Sequence, residues 1–309
     1  MNEEIQLSII IVTHNAKDFL RNCLKSVFEK IKNLSFEVLV VDNTSSDGTF
    51  EMLKNEFPQV KVIFSKENLG FAKANNLAIK EAKGKYIFLL NPDTILLDEN
   101  FKKLIDFAEK NPDVGAIGPK VLNSDLTIQH QCKRGFPTPW NTLCYFLGLA
   151  KIFPKSKVFA GYLLTYLNTE KIQEVDSLSG CAMLAKRDVI EKVGMMDEDY
   201  YLYGDDLDWC YRIKSGGWKV VYFPETKIIH YGGRGGTGKK PYFNIYHFYK
   251  SAFIFYRKHL AKEYFFLINW LVYLGIFLRF LMVIIINIFK KEKTIGSKKP
   301  DSLLFHQTN

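Results

Sequence analysis

The sequence lacks paired cysteines. Its five cysteines are odd in number and scattered, and no two of them form a C-x-x-C pair. This pattern predicts neither a zinc knuckle nor a redox couple, and a reducing cytoplasm is the simplest compartment for it. The cysteines are Cys23, Cys132, Cys144, Cys181 and Cys210.

A secretory signal and a dinucleotide-binding glycine turn are missing as well. Residues 1–7 contain Glu3 and Glu4, and polar residues 13–15 cut the first apolar run short, so we expect no signal peptide. The first strand-to-helix turn, residues 13–18, has no glycine, which argues against a dehydrogenase. The composition also excludes a disordered chain, since 47% of the 309 residues are hydrophobic and 15% are aromatic.

Basic residues outnumber acidic ones, and the formal net charge is +9. Such a charge is compatible with nucleic acid, an anionic membrane surface or phosphorylated substrates. Two basic clusters bracket the most hydrophobic segment of the chain, and this position favours a membrane surface over nucleic acid, with solvated charge of no function as the alternative. The clusters are Arg257, Lys258 and Lys262, and Lys290, Lys291, Lys293, Lys298 and Lys299.

The bracketed segment, residues 264–289, is interrupted only by Asn269, Arg279 and Asn287. It is long enough to cross a bilayer. Arg279 near its middle and basic flanks on both sides leave two membrane alternatives open, a spanning helix and an in-plane or re-entrant helix. A buried or homodimer-forming helix is the remaining reading.

Buried-type strands alternate with amphipathic helices in the first part of the chain. This order predicts an α/β fold with a mostly parallel sheet covered by helices on both faces. The strands are predicted at 7–12, 36–41, 60–64 and 86–90, and the helices at 16–30, 49–56 and 70–82.

The pattern of apolar residues is less regular in the second part of the chain. We predict a catalytic domain over residues 1–240 and a helical C-terminal region over 241–309, while residues 129–167 carry an aromatic pattern that we do not assign. Further helices are predicted at 98–110, 187–193 and 206–215, and further strands at 114–122 and, as a pair, within 219–230.

Ligands of such sheets collect at the carboxyl ends of strands. Asp93 follows the apolar strand 86–90 and the turn Asn91-Pro92, which delivers a carboxylate to that edge. Mg²⁺ or Mn²⁺ takes oxygen ligands there and leaves positions for substrate phosphates. The same tripeptide could instead be a simple turn or helix cap.

An acidic run at the start of a predicted helix carries a second candidate. Asp205, Asp206 and Asp208 repel one another, so at least one proton affinity should rise, and a carboxylate of this kind can act as a general base. An acidic first helical turn, favoured by the helix dipole, is the alternative reading.

His230 ends a predicted strand and precedes a glycine-rich stretch that carries Arg234. A histidine there can ligate a metal, and the stretch can fold over a diphosphate. Gly233, Gly235 and Gly238 match the G-x-G-x-x-G fingerprint, but no βαβ unit follows, so we interpret them as a flexible loop.

Taken in order, seven segments resemble the family 2 glycosyltransferases of the GT-A fold, and especially their rhamnosyltransferase-like branch. The resemblance covers residues 7 to about 235. The segments are SIIIVTHN (8–15), VVDNTSSDGT (40–49), NLGFAKANN (68–76), LLNPDT (89–94), SGCAML (179–184), YLYGDDLDWC (201–210) and IIHYGG (228–233).

The resemblance implies a role for each matching residue. Asp93 takes the place of the last carboxylate of the family's D-x-D motif, Asn91 stands where the first acid would be, and His230 is the second metal ligand. Asp205-Asp206 matches the family's Glu-Asp pair, whose second member is usually the base; the first member is Asp rather than Glu here, so both carboxylates stay candidates for the base. The implied donor-binding residues are Thr13, Asn15, Asp42, Asn68, Gly70 and Asn75 for the nucleoside and Ser179 and Gly180 for the sugar.

The resemblance also implies an inverting transfer in one displacement. A divalent metal, with Arg234 or Arg212, would neutralise the leaving diphosphate while Asp206 removes the acceptor proton. The implied donor is dTDP-rhamnose, and a UDP-sugar is the second choice. The acceptor would be a glycan or polyprenyl-linked precursor at the cytoplasmic face of the inner membrane of a bacterial-type cell, and residues 129–167 either shape its site or are a packing insert.

Two other functions remain possible at this point. An inactive nucleotide-sugar-binding scaffold would require a damaged site, yet Asp93, Asp205, Asp206 and His230 are all present. A nucleotidyltransferase would require a glycine-rich, arginine-bearing loop after the first strand, and residues 13–18 contain none.

Overall fold

The computed structural model of the protein describes residues 4–233 and 240–290. The strands are β1 Leu7–Thr13, β2 Phe36–Asp42, β3 Lys61–Phe64, β4 Tyr86–Leu90, β5 Thr94–Leu96, β6 Val114–Leu122, β7 Lys133–Arg134, β8 Gln173–Glu174, β9 Ser177–Leu178, β10 Ala182–Lys186 and β11 Lys219–His230. The helices are α1 Lys17–Lys30, α2 Thr49–Glu56, α3 Gly70–Glu81, α4 Phe101–Lys110, α5 Pro139–Phe146, α6 Leu149–Ile152, α7 Arg187–Val193, α8 Asp205–Ser215, α9 Pro241–Phe255 and α10 Phe266–Phe289.

A central sheet runs in the order β3-β2-β1-β4-β10-β6-β11-β5, with β8 added to β11. β1 pairs in parallel with β2 and with β4, and β2 pairs in parallel with β3. β10 then lies antiparallel between β4 and β6. The predicted α/β fold is confirmed, and β10 makes the sheet a mixed one.

The central strands are mostly apolar, as expected of a sheet that is covered on both faces. β1 and β4 are almost entirely buried, whereas β3 at the edge begins with the exposed Lys61. A lysine on an edge strand opposes pairing with another chain. The core is therefore continuous from β2 to β6, and the polar residues that follow each strand are left at its carboxyl edge.

The predicted strand pair within 219–230 is wrong. The structure has one long strand, β11, whose register against β6 shifts between Phe223 and Lys227. Pro224 lies in this shift, and it has no N–H to donate to a sheet ladder. The unassigned residues 129–167 contain β7, α5 and α6.

The C-terminal helices pack on the catalytic part through α9. α9 contacts both α8 and α10, and Ile254 and Phe255 share a buried cluster with Tyr200 and Leu207. A π-helical segment, Tyr256–Leu260, and a 3₁₀ turn, Ala261–Glu263, connect α9 to α10. The domain boundary predicted at residue 240 stays a prediction.

α10 is long and apolar enough to cross a membrane by length and composition. Of its own residues only Val283 and Asn287 are buried, and most of its large apolar side chains are exposed. The reading as a helix buried in the core of this chain is therefore wrong. The readings as a membrane helix and as a homodimer-forming helix stay predictions.

Candidate functional site

A cavity of about 1090 Å³, which we call the central cavity, opens at the carboxyl edge of the sheet. Its walls come from the ends of β1, β4 and β11, from the start of α8, and from α5, α9 and α10. The lining residues include Thr13, His14, Asn43, Asn68, Gly70, Asn91, Asp93, Arg134, Ser179, Gly180, Asp205, Asp206, His230, Tyr249 and Arg279.

Asp93 and His230 meet at one corner of the central cavity. The antiparallel pairing of β11 with β5 sets His230 opposite Thr94, so the imidazole Nε2 lies 3.3 Å from a carboxylate oxygen of Asp93. The other ring nitrogen, Nδ1, lies 3.1 Å from the side-chain oxygen of Gln129. Burial disfavours the charged imidazole, but Cys181 and Asp93 outweigh it and raise the pKa of His230 well above its usual value.

The same corner holds an amide oxygen without a partner. The side-chain oxygen of Asn91 is buried and accepts no hydrogen bond, while its amide nitrogen lies 3.4 Å from Nε2 of His230. Carboxylate, amide and imidazole groups form a donor set that suits a divalent cation such as Mn²⁺. Among the described residues no group of three or more His, Cys, Asp or Glu side chains is arranged to hold a metal ion, so further ligands would have to come from Asn91, water or substrate phosphates.

Asp206 is held by three donors at the start of α8. One carboxylate oxygen accepts from a guanidinium nitrogen of Arg134 at 2.7 Å and from the backbone N–H of Gly180 at 3.0 Å. The other oxygen accepts from the backbone N–H of Leu207 at 2.8 Å. These donors favour the ionised carboxylate and fix its orientation at the cavity wall.

Asp205 has a contrasting environment. Its side chain is only 4% exposed, and one carboxylate oxygen has no hydrogen-bond partner. Burial first, and then the adjacent charge of Asp206, raises the pKa of Asp205 well above that of a free aspartate. Of the two neighbouring carboxyl groups, Asp205 is therefore the one whose ionisation its surroundings disfavour.

The ends of β1 and β2 form the other end of the central cavity. The hydroxyl of Thr13 is buried without a partner, and Nδ1 of His14 lies 2.8 Å from the carbonyl oxygen of Asn43. The side chain of Asn43 donates to Asn68 at 3.0 Å, and Asn68 accepts from the hydroxyl of Tyr201 at 2.9 Å.

Gly70 permits this loop to close. Its φ is +76°, and a Cβ there would lie 2.3 Å from the backbone oxygen of Tyr201. The neighbouring N–H of Phe71 donates to the same oxygen at 2.8 Å. A side chain at position 70 would therefore separate α3 from the loop that precedes α8.

Four predicted donor residues do not line the central cavity. Asp42 accepts from the N–H of Ser45, exposed Asn15 accepts from the N–H of Ser46, and buried Asn75 donates to Phe71 within α3. The prediction for Arg212 needs correction, because its guanidinium binds Asp208 and the carbonyl oxygens of residues 193–195. Arg234 lies outside the described residues.

Sequence reasoning missed Arg134, Asn43 and His14. Arg134 belongs to the stretch without a readable pattern, and only the pairing of β7 with β9 brings it to Asp206. His14 and Asn43 follow the same strands as the predicted Thr13 and Asp42. Their position directly after β1 and β2 was the signal that could have found them.

Comparison with known proteins places these features in context. A model of glycosyl transferase family 2 matches residues 8–194. The chain is 27% identical over 260 residues to the N-acetylglucosaminyl-diphospho-decaprenol L-rhamnosyltransferase of Mycobacterium tuberculosis (strain CDC 1551 / Oshkosh), covering 81% of this chain and 83% of that protein. It is 25% identical to the rhamnosyltransferase WbbL of Escherichia coli K12 over 72% of this chain and 82% of that protein.

A solved structure agrees at the level of the fold. The mannosyltransferase PcManGT from Pyrobaculum calidifontis, in complex with GDP-Man and Mn²⁺, is similar with a TM-score of 0.53 at 17% identity. The match covers 82% of this chain and 64% of that chain, so this chain spans less than two thirds of that structure. The predicted GT-A fold is confirmed by this likeness.

Proposed function

Because the chain belongs to glycosyl transferase family 2, we propose that it transfers rhamnose, with inversion, from a nucleoside-diphosphate donor to a hydroxyl of a lipid-linked glycan precursor. The observation that carries the proposal is the meeting of Asp93 with His230 in a cavity that Asp206 also lines. The rhamnosyltransferases among its relatives support this choice of sugar. The relative named for a diphospho-decaprenol compound supports a lipid-linked acceptor.

The donor would lie with its nucleoside at the ends of β1 and β2 and its diphosphate toward Asp93. The unpartnered hydroxyl of Thr13 is free to bond the nucleoside. Asp93, His230 and the amide oxygen of Asn91 would hold Mg²⁺ or Mn²⁺, which when bound supplies positive charge to the departing diphosphate. The buried, unpartnered oxygen of Asn91 supports this donor set.

Asp206 is the base in this proposal. As the acceptor oxygen attacks the anomeric carbon, the bond from that carbon to the diphosphate oxygen breaks, and the acceptor proton moves to Asp206. Asp205 is kept protonated by burial and cannot take a second proton, which supports Asp206 for the role. Arg134 and Gly180 hold the carboxylate in place.

We predict that Asp206→Asn removes nearly all turnover, by a factor of about 10²–10⁴, because amide nitrogen cannot accept the proton. Donor binding, measured by calorimetry with dTDP-rhamnose and Mn²⁺, should change little. Asp106→Asn, which alters an exposed pair with Lys102, is the matched control. Retained turnover in Asp206→Asn would remove Asp206 from the mechanism.

Product analysis distinguishes the proposed transfer from nucleotidyl transfer. The proposal predicts release of a nucleoside diphosphate, whereas pyrophosphate release would indicate a nucleotidyltransferase. A panel of dTDP-rhamnose and UDP-hexoses, each with and without Mn²⁺, would identify the donor and the need for metal. Neither product with any donor would favour an inactive binding scaffold.

Location at the cytoplasmic face of the inner membrane completes the proposal. α10 is an exposed apolar helix, and the exposed Arg257 lies in the π-helical segment that precedes it. Cations beside an apolar helix bind anionic lipid headgroups. A lipid-linked acceptor would then reach the central cavity from the bilayer.

A further inference from the structure

Arg279 is the charged residue that interrupts α10, and the mechanism above does not use it. Although α10 is largely exposed, Arg279 lines the central cavity together with Leu271, Gly275 and Ile276 of the same helix. A charged side chain near the middle of an apolar helix is costly to place in a bilayer. Such a residue faces an interior or a cavity when it has a function there.

The guanidinium has neighbours but no anion. It lies 4.9 Å from the ring centre of Phe146 in α5, and its Nε is buried without a hydrogen-bond partner. No carboxylate in the parts of the chain that the structure describes forms an ion pair with it. Its positive charge also acts on Tyr145 and Tyr249, partly opposing the rise in pKa that burial causes in both phenols.

The other cations of the cavity have different surroundings. Arg134 is paired with Asp206, and His230 faces Asp93. Lys240 is exposed at the start of α9, with its ammonium 5.9 Å from the ring of Phe243. Arg279 thus combines a buried, unpartnered donor with a position in the cavity wall.

α9 lies between Arg279 of α10 and the carboxylates Asp205 and Asp206 of α8. α8, which begins with Asp205 and Asp206, packs on α9, and α9 packs on α10. The nucleoside residues lie at the ends of β1 and β2, on the sheet side of α8. A ligand anion at Arg279 would accordingly belong to the acceptor side of the cavity.

Apolar side chains of two helices line the central cavity together with Arg279. They are Leu143 and Phe146 from α5, the latter in contact with the guanidinium, and Leu271, Val272 and Ile276 from α10. Exposed apolar side chains of α10 continue the surface outward. A cation next to an apolar part of the central cavity is suited to bind a molecule that carries a phosphate at one end of a hydrocarbon chain.

We propose that Arg279 binds the diphosphate of a polyprenyl-diphosphate acceptor, and that α5 and α10 hold the first isoprene units of its chain. This inference rests on the proposed function and adds the residue by which that acceptor is recognised. The acceptor sugar would then extend from the diphosphate toward Asp206.

Binding of farnesyl diphosphate to the full chain in detergent micelles tests the proposal. dTDP with Mn²⁺ at saturation occupies the donor site during the titration. We expect Arg279→Gln to weaken binding roughly tenfold or more, since a charge-assisted hydrogen bond is lost, and Arg279→Lys to weaken it less. Arg21→Gln, which removes an arginine paired with Asp18 and Glu56 away from the residues that line the central cavity, is the control and should bind as the unaltered chain does.

Three comparisons make the result specific. Inorganic pyrophosphate and farnesol should each bind much more weakly than farnesyl diphosphate, and phosphatidylglycerol should compete poorly. Equal affinity of Arg279→Gln and the unaltered chain would overturn the proposal. So would competition by phosphatidylglycerol as strong as that of farnesyl diphosphate, because the site would then hold a bilayer headgroup.

Kinetics separates this inference from the proposed function. Slow release of nucleoside diphosphate without acceptor should be unchanged in Arg279→Gln, while KM for the polyprenyl-diphosphate acceptor should rise. If the unaltered chain binds farnesyl diphosphate through Arg279 but does not glycosylate the lipid, the proposed function fails and the site stands. If it glycosylates the lipid and Arg279→Gln has the same KM, the site fails and the function stands.

Discussion

At the scale of single residues, Asp205 and Asp206 differ in their surroundings. Asp205 is buried and one of its carboxylate oxygens has no hydrogen-bond partner, whereas Asp206 accepts hydrogen bonds from Arg134 and Gly180. The sequence predicts that a pKa in this acidic run must rise, since repulsion follows from spacing alone. Which carboxylate changes depends on Arg134, a contact that no local pattern encodes.

Asp205→Asn should therefore make stability less sensitive to pH. In the unfolded chain Asp205 ionises with a pKa of about 3.9, whereas burial keeps it protonated in the folded chain. As the pH rises from that value toward the raised pKa of the folded state, the aspartate therefore lowers the free energy of unfolding, by up to about 1.4 kcal/mol per pH unit. The melting temperature of the variant should exceed that of the unaltered chain by a margin that grows from pH 4.5 to pH 7. A margin independent of pH would mean that Asp205 is ionised in the folded protein.

At the scale of elements, the boundaries that depend on local periodicity were predictable. α2, β4, β6 and α7 begin and end where the sequence places them. The strand pair within 219–230 was wrong because Pro224 resembles a turn, whereas the ladder with β6 resumes after a shift in register. The secondary structure of residues 129–167 could not be predicted because their short elements are stabilised by contacts with distant segments, such as the pairing of β7 with β9.

The attachment of α8 to the C-terminal helices rests on a buried carboxylate. Asp208 binds the guanidinium of Arg212 at 2.7 Å and Nε2 of His259, in the π-helical segment, at 2.6 Å. Burial raises the pKa of Asp208, but His259 and Arg212 more than offset this, and the net pKa is lowered. The sequence predicts that Arg212 binds the diphosphate, whereas in the structure Arg212 binds the buried carboxylate of Asp208.

Asp208→Asn should destabilise the protein by about 3 kcal/mol, because a buried pair that loses one partner leaves the other charge uncompensated. Thermal unfolding of the full chain in detergent measures the loss. Asp106→Asn provides the comparison, since its exposed pair with Lys102 contributes little. Similar melting temperatures for both variants would mean that α8 is held by packing alone.

At the scale of the whole molecule, sheet, acid pair and apolar helix border one cavity. The GT-A fold and the closeness of Asp93 to His230 belong together, since β11 must lie beside β5 for the imidazole to reach the carboxylate. The ordered motifs predict this topology, but the position of α10 beside the cavity follows only from its packing on α9. In the proposed function, that packing would bring a lipid-borne acceptor to the cavity.

The anomeric configuration of the product tests the central claim most directly. The unaltered chain, dTDP-rhamnose, Mn²⁺ and a polyprenyl-diphosphate-linked sugar are incubated together, and proton NMR of the isolated product gives the configuration at the new linkage. Direct displacement with Asp206 as base predicts a configuration opposite to that of the donor, with one nucleoside diphosphate released per linkage formed. A product of retained configuration would contradict the account.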